Sequence, residues 1–130
     1  MAGRITVDDL LAEAREGLDR LDPPAAASAM AAGALLVDIR SDSQRERDGL
    51  VPGVVFIPRN VLEWRCDPEC PHRDERLCDP GRQLIVMCDE GYQSSLAAAN
   101  LKRLGVERAT DLAGGFQAWR AAGLPVERPG

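Results

Sequence analysis

The sequence predicts an α/β fold, with a central and mainly parallel sheet flanked by helices in three layers. Three apolar runs carry that expectation: Ala34–Val37, Val54–Ile57 and Leu84–Met87 are continuous rather than alternating, as in strands buried on both faces. Stretches of helical spacing separate them, and 130 residues suffice for one such domain, taken as residues 1–130.

Thr6 is a candidate cap for a helix running to about Leu18, in which Val7, Leu10, Leu11, Ala14 and Leu18 recur at helical spacing. Asp22 before Pro23 opens a second, Ala-rich helix that Gly33 ends. The first strand follows and delivers Asp38 to its carboxyl end. The second strand stops at Pro58, and Asn60 is read as the cap of a short helix through Trp64. From Arg65 to Arg82 three cysteines, three prolines and many charges show no period, which predicts an irregular excursion. The third strand ends at Cys88. A helix from about Ser94 carries Ala97, Leu101 and Leu104 and ends at Gly105. Thr110–Leu112 reads as a short strand, and Gly114-Gly115 leads into a last helix through Ala122. Phe116, Trp119 and Trp64 are assigned to the core.

Twenty-one acidic against sixteen basic residues give a net charge of -5, the wrong sign for a phosphate-binding surface, so no nucleic-acid partner is expected. Ala25–Val37, the longest nearly apolar stretch, is too short to span a bilayer, and no membrane partner is expected either. The N-terminus lacks the charged-then-apolar pattern of a secretory signal, which places the protein in the cytoplasm. There its four cysteines are thiols, metal ligands or reactive groups rather than a disulfide scaffold. No cofactor is expected.

Cys88 sits between a buried strand and a helix start, where free amides and the helix dipole favour an anion such as a thiolate. The same position also suits a small buried hydrophobe, so local context leaves both readings open. Cys66, Cys70, His72 and Cys78 lie within thirteen residues and offer enough ligands for zinc, in a spacing unlike that of a standard knuckle. Surface thiols are the default there, and one of them resolving an oxidised Cys88 is a further alternative. Asp38 and Arg40 end a strand where ligands of open α/β sheets bind, and an internal salt bridge is the favoured reading. Arg59 either supplies positive charge to a pocket or is a solvated surface group.

Four segments in order resemble a single-domain rhodanese, a sulfurtransferase family. Leu35-Leu36-Val37-Asp38-Ile39-Arg40 resembles its first strand motif. Gly49-Leu50-Val51-Pro52-Gly53-Val54 with Ile57-Pro58 resembles its Gly-His-Ile-Pro-Gly-Ala, with Leu50 at the histidine. Cys88-Asp89-Glu90-Gly91-Tyr92-Gln93-Ser94 resembles the active loop Cys-x-x-Gly-x-Arg-Ser, and Leu112–Trp119 with Gly123-Leu124-Pro125-Val126 resembles the closing segment.

The resemblance implies that Cys88 accepts a sulfane sulfur from thiosulfate or another donor, holds it as a persulfide, and passes it to a thiol or cyanide. A sulfur-relay protein is an implied partner. Amides of Asp89 to Ser94 are expected to cradle the sulfur, with Ser94 or Ser95 donating to it or capping the helix and Tyr92 exposed. The loop length resembles the sulfur-transfer type rather than the longer loop of related phosphatases. Gln93 replaces the arginine expected to bind thiosulfate, and Asp89 and Glu90 repel a dianion, so turnover of thiosulfate is expected to be weak. The rival reading is a non-enzymatic binding or redox-sensing module that uses Cys88 with the Cys66–Cys78 cluster.

Overall fold

The computed structural model describes residues 3–129. Four parallel strands form one sheet in the order β2-β1-β3-β4, with β1 Leu35–Asp38, β2 Val55–Phe56, β3 Leu84–Met87 and β4 Ala109–Asp111. Leu36 lies opposite Ile85 and Ile85 opposite Thr110. Every residue of β1 and β3 is buried, the physical reason for their unbroken apolar runs.

Successive side chains alternate between two cores. Leu35, Val37, Leu84 and Val86 pack with Ala97, Ala98 and Leu101 of α5 (Gln93–Arg103), and with Leu62 and Cys66 of α4 (Leu62–Cys66). Leu36, Ile85 and Met87 pack on the other face against Ala26 of α2 (Pro23–Ala31) and Phe116 and Trp119 of α6 (Gly115–Ala121). These are the three layers expected.

Helix α1 (Val7–Glu16) begins at Thr6 through a reciprocal capping box with Asp9, and α2 is capped by Asp22 with proline in its first turn. The apolar face of α1 is less buried than its periodicity predicts: no residue of it is fully buried, and Val7 is 73% exposed. Helix α3 (Asp42–Asp48) was absent from the sequence reading, because DSQRERD has no apolar stripe. It is recognisable only by its Ser41–Gln44 capping box. Asn60 caps nothing. It lies inside a 3-10 turn, Arg59–Val61, that runs directly into α4.

Trp64 is a correction: it is 56% exposed, since the inward face of its one-and-a-half-turn helix is taken by Leu62 and Cys66. The first two residues of the excursion, Arg65 and Cys66, finish α4; beyond them it is irregular apart from a 3-10 turn at Glu75–Leu77, and it plugs Leu77 and Cys66 into the core. Trp119 is buried, with its indole N–H donating to the Pro125 carbonyl at 2.9 Å. No helix among the described residues is long and apolar enough to cross a membrane.

Candidate active site

Parallel strands bring the residues after β1, β2 and β3 to one edge of the sheet. The chain leaves β1 toward β2 and leaves β3 toward β4 on the opposite side, so the edge between β1 and β3 is the crevice where such folds bind ligands. Cys88 follows β3 there. Its residue is only 2% exposed, but with Gln44, Asp89, Glu90, Tyr92 and Gln93 it lines an open depression of about 430 Å³. Gln44 and Gln93 continue into a second depression bounded by Phe56, Pro58 and Arg59.

The loop from Cys88 to α5 has its carbonyls drawn outward. Phe116 N–H donates to Cys88 C=O at 2.9 Å and Gln117 N–H to Asp89 C=O at 3.1 Å. Gly91 C=O accepts from Arg15 Nη2 at 2.8 Å and Arg20 Nη2 at 3.0 Å. In a planar trans peptide the N–H opposes the C=O, so this arrangement frees the amides for the concave side. A further amide, that of the Glu90–Gly91 peptide, reaches the sulfur: Gly91 N–H donates to Cys88 Sγ at 3.1 Å.

Two glycines make the geometry possible. Gly91, at φ 88°, has Gly114 N 2.7 Å from where a Cβ would stand. Gly115, at φ 63°, approaches so closely that a Cβ would sit 2.6 Å from both the Cys88 and Asp89 carbonyl oxygens.

Ser94 and Ser95 are fully buried and donate not to the sulfur but to one carboxylate oxygen of Asp111, at 2.7 and 2.8 Å. A buried carboxylate at the end of β4 is a stronger acceptor than the thiol and takes both hydroxyls. Arg20 completes this network with two bonds to Asp111, at 2.9 and 3.2 Å. The sequence reading missed Asp111, Arg15 and Arg20. The aspartate ends a short buried strand just as Asp38 does, and that parallel was the available signal.

Asp38 and Arg40 form a fully buried ion pair at 2.8 Å. Arg40 also donates to Gly49 C=O and stacks 4.0 Å from the centre of the Phe116 ring, which ties the strand edge to its neighbours, while its Nη1 is left without a partner beside the second depression. Arg59 borders the second depression, but its guanidinium pairs with Glu63 at 2.8 Å. Asp89 turns from the sulfur to accept from Gln117 at 2.9 Å, with Arg47 at 3.7 Å. Gln117 also holds Asp48, whose carboxyl the adjoining Arg47 guanidinium keeps well below the usual carboxylate range. Glu90, Tyr92 and Gln93 are exposed at the rim.

The zinc candidates are not brought together. Cys66 is buried, His72 is exposed with its N–H on Cys70 Sγ at 3.4 Å, and Cys78 Sγ points to the carbonyls of Asp74, Cys66 and Arg65 at 3.4, 3.7 and 3.8 Å. Among the described residues no three His, Cys, Asp or Glu side chains converge on a metal-sized site. Burial, with Cys78 adding to it, pushes the Cys66 thiol up to about 12, and burial raises that of Cys78 as well.

A family model described as a rhodanese-like domain matches residues 22–122. The chain belongs to the rhodanese-like domain family. It is 32% identical over 95 residues to a sulfurtransferase of Allochromatium vinosum, spanning 73% of this chain and 79% of that protein. It is 31% identical over 108 residues to the thiosulfate sulfurtransferase GlpE of Haemophilus influenzae, spanning 82% of this chain and 92% of that one. A structure from Rhodopseudomonas palustris superposes with a TM-score of 0.87 at 32% identity, covering 98% of this rhodanese-like chain and 99% of the other; it is described as a protein of unknown function and possible tyrosine phosphatase.

Proposed function

We propose that this rhodanese-like domain is a sulfurtransferase in which Cys88 carries the sulfur as a persulfide. The observation that supports it most is the placing of Cys88: its sulfur is held by an inward-facing loop amide at the mouth of an open depression, at the switch point of the sheet. The Cys88 thiolate attacks the sulfane sulfur of a donor, the donor's S–S bond breaks, and the leaving group departs with the electron pair. An acceptor thiolate or cyanide then attacks the outer sulfur, and Cys88 leaves as thiolate. The loop amides that cradle Cys88 would stabilise the negative outer sulfur, as the Gly91 N–H already does for the Cys88 sulfur, with little reorganisation as charge develops.

The residues lining the depression include no cation, and Glu90 stands free on its rim. That lining disfavours the thiosulfate dianion, so persulfide donors of lower charge, including one borne on a relay protein, are the better substrates. It disfavours phosphoryl transfer for the same reason. A phosphate dianion needs a guanidinium in the loop, and Gln93 offers an uncharged amide.

The test is sulfur transfer to cyanide from thiosulfate and from cysteine persulfide, a monoanion, by the native chain and Cys88→Ser, with intact mass after donor treatment. The native protein is expected to gain one sulfur on Cys88 and to prefer the persulfide. Equal activity in Cys88→Ser, or no added sulfur with either donor, overturns the reading.

A further inference from the structure

The active loop contains no cation of its own, yet two guanidiniums meet it from behind. Arg15, in the last turn of α1, donates from Nη2 to Gly91 C=O at 2.8 Å and from Nε to Ser95 Oγ at 3.0 Å. Arg20, in the turn between α1 and α2, donates to the same carbonyl at 3.0 Å. The two differ in their charge balance. Arg20 is neutralised by Asp111 at 2.9 Å, whereas Arg15 has no carboxylate within ion-pair distance among the described residues. Both are half-buried, and neither lines the depression at Cys88.

We infer that Arg15 is a positioning residue for Cys88, supplying from the back of the loop the positive charge that Gln93 does not supply at the front. It acts through one peptide unit. By fixing Gly91 C=O on its own side, it turns the Tyr92 N–H toward the side where Cys88, Tyr92 and Gln93 line the depression, and its net charge favours an anion on that sulfur. Arg20 shares the carbonyl and fixes the geometry, but with Asp111 it adds little net charge.

The other charges near the loop are accounted for. Asp89 is bonded to Gln117 with Arg47 beside it, Asp48 is paired with Arg47 and Arg120, Asp38 with Arg40, and Glu90 faces solvent. Arg15 is therefore the uncompensated cation set against Glu90 across the loop. The arrangement separates two tasks that a loop arginine combines: the sulfur anion is stabilised from behind, while the open face stays unattractive to dianions.

The inference rests on the sulfurtransferase reading for its purpose, and its test uses no sulfur donor. The full-length chain and its Arg15→Ala, Arg15→Lys and Arg15→Gln variants are treated with iodoacetamide across a pH series. Alkylation of the Cys88 peptide is followed by mass spectrometry. In Arg15→Ala and Arg15→Gln the midpoint of the rate profile is expected to move to higher pH, with alkylation at neutral pH about fivefold slower. In Arg15→Lys, which keeps the charge, the midpoint is expected to return toward the native one. An unchanged midpoint in Arg15→Gln, or the same midpoint in the Lys and Gln variants, overturns the inference, whatever happens to the melting temperature. The Lys and Gln pair decides the matter if Arg15→Ala does not fold. A native protein that is alkylated in this Arg15-dependent way but never gains sulfur would overturn the transfer reading and leave the role of Arg15 standing.

Discussion

The loop at Cys88 and the excursion from Arg65 to Arg82 each place a cysteine against the same face of the sheet, and they treat the sulfur in opposite ways. Cys88 and Cys66 are both buried residues of one apolar cluster. Around Cys88, loop carbonyls are held by α6, Arg15 and Arg20, the Gly91 amide meets the sulfur, and a depression opens beside it. Cys66 has the apolar surroundings without directed donors, and its thiol is pushed up to about 12. The contrast teaches that burial alone makes a cysteine inert, and that aimed dipoles with an open path fit a buried one for chemistry.

The comparison breaks most readily at Asp111. Asp111→Ala leaves Arg20 half-buried without its carboxylate and strands the hydroxyls of Ser94 and Ser95, for an expected loss of about 3–5 kcal/mol in urea unfolding. Gly115→Ala comes next. Its Cβ would collide with the Cys88 and Asp89 carbonyls at positive φ, costing about 1–3 kcal/mol and slowing alkylation of Cys88 by shifting the loop. A stable Gly115→Ala protein with native Cys88 reactivity would show that the loop is not held from α6.

On the other side, Cys66→Ala should cost about 1–2 kcal/mol through its small cavity and leave any sulfur transfer intact. The same thiol gives a pH signature. Held protonated in the fold up to about 12 but ionising near its ordinary 9.0 when unfolded, it contributes stability below pH 9 that is lost as pH rises toward 12. Unfolding titrations at pH 8 and pH 10.5 should show a steeper decline for the native chain than for Cys66→Ala. The smallest effect belongs to Cys70→Ser, at a partly exposed position: less than about 0.5 kcal/mol, with zinc content near zero in both proteins.

What could be read from sequence follows from what leaves a local pattern. β1, β3 and Cys88 were legible because burial on both faces writes a continuous apolar run and its end marks the sheet edge. Thr6, Asp22 and Gly105 were legible because caps and left-handed turns have their own residues. Helix α3 was not, being polar throughout. Trp64 was misplaced because a short helix has too few turns to say which face is inward. The serine hydroxyls were assigned to the sulfur or to the helix cap because Asp111, their acceptor, is distant in sequence: 16 and 17 residues separate it from Ser95 and Ser94. Arg15 was illegible on the same ground, since it meets Gly91 across 76 residues and nothing near it foretells the contact.

The family match begins at residue 22, yet the guanidiniums on the Gly91 carbonyl come from residues 15 and 20. The fold and the working unit therefore have different borders. A chain trimmed to residues 22–122 would keep every strand of the sheet and the cysteine, but it would surrender the outer hold on the loop. For this domain, the segment ahead of the family core belongs to the machinery in the same sense as the loop it grips.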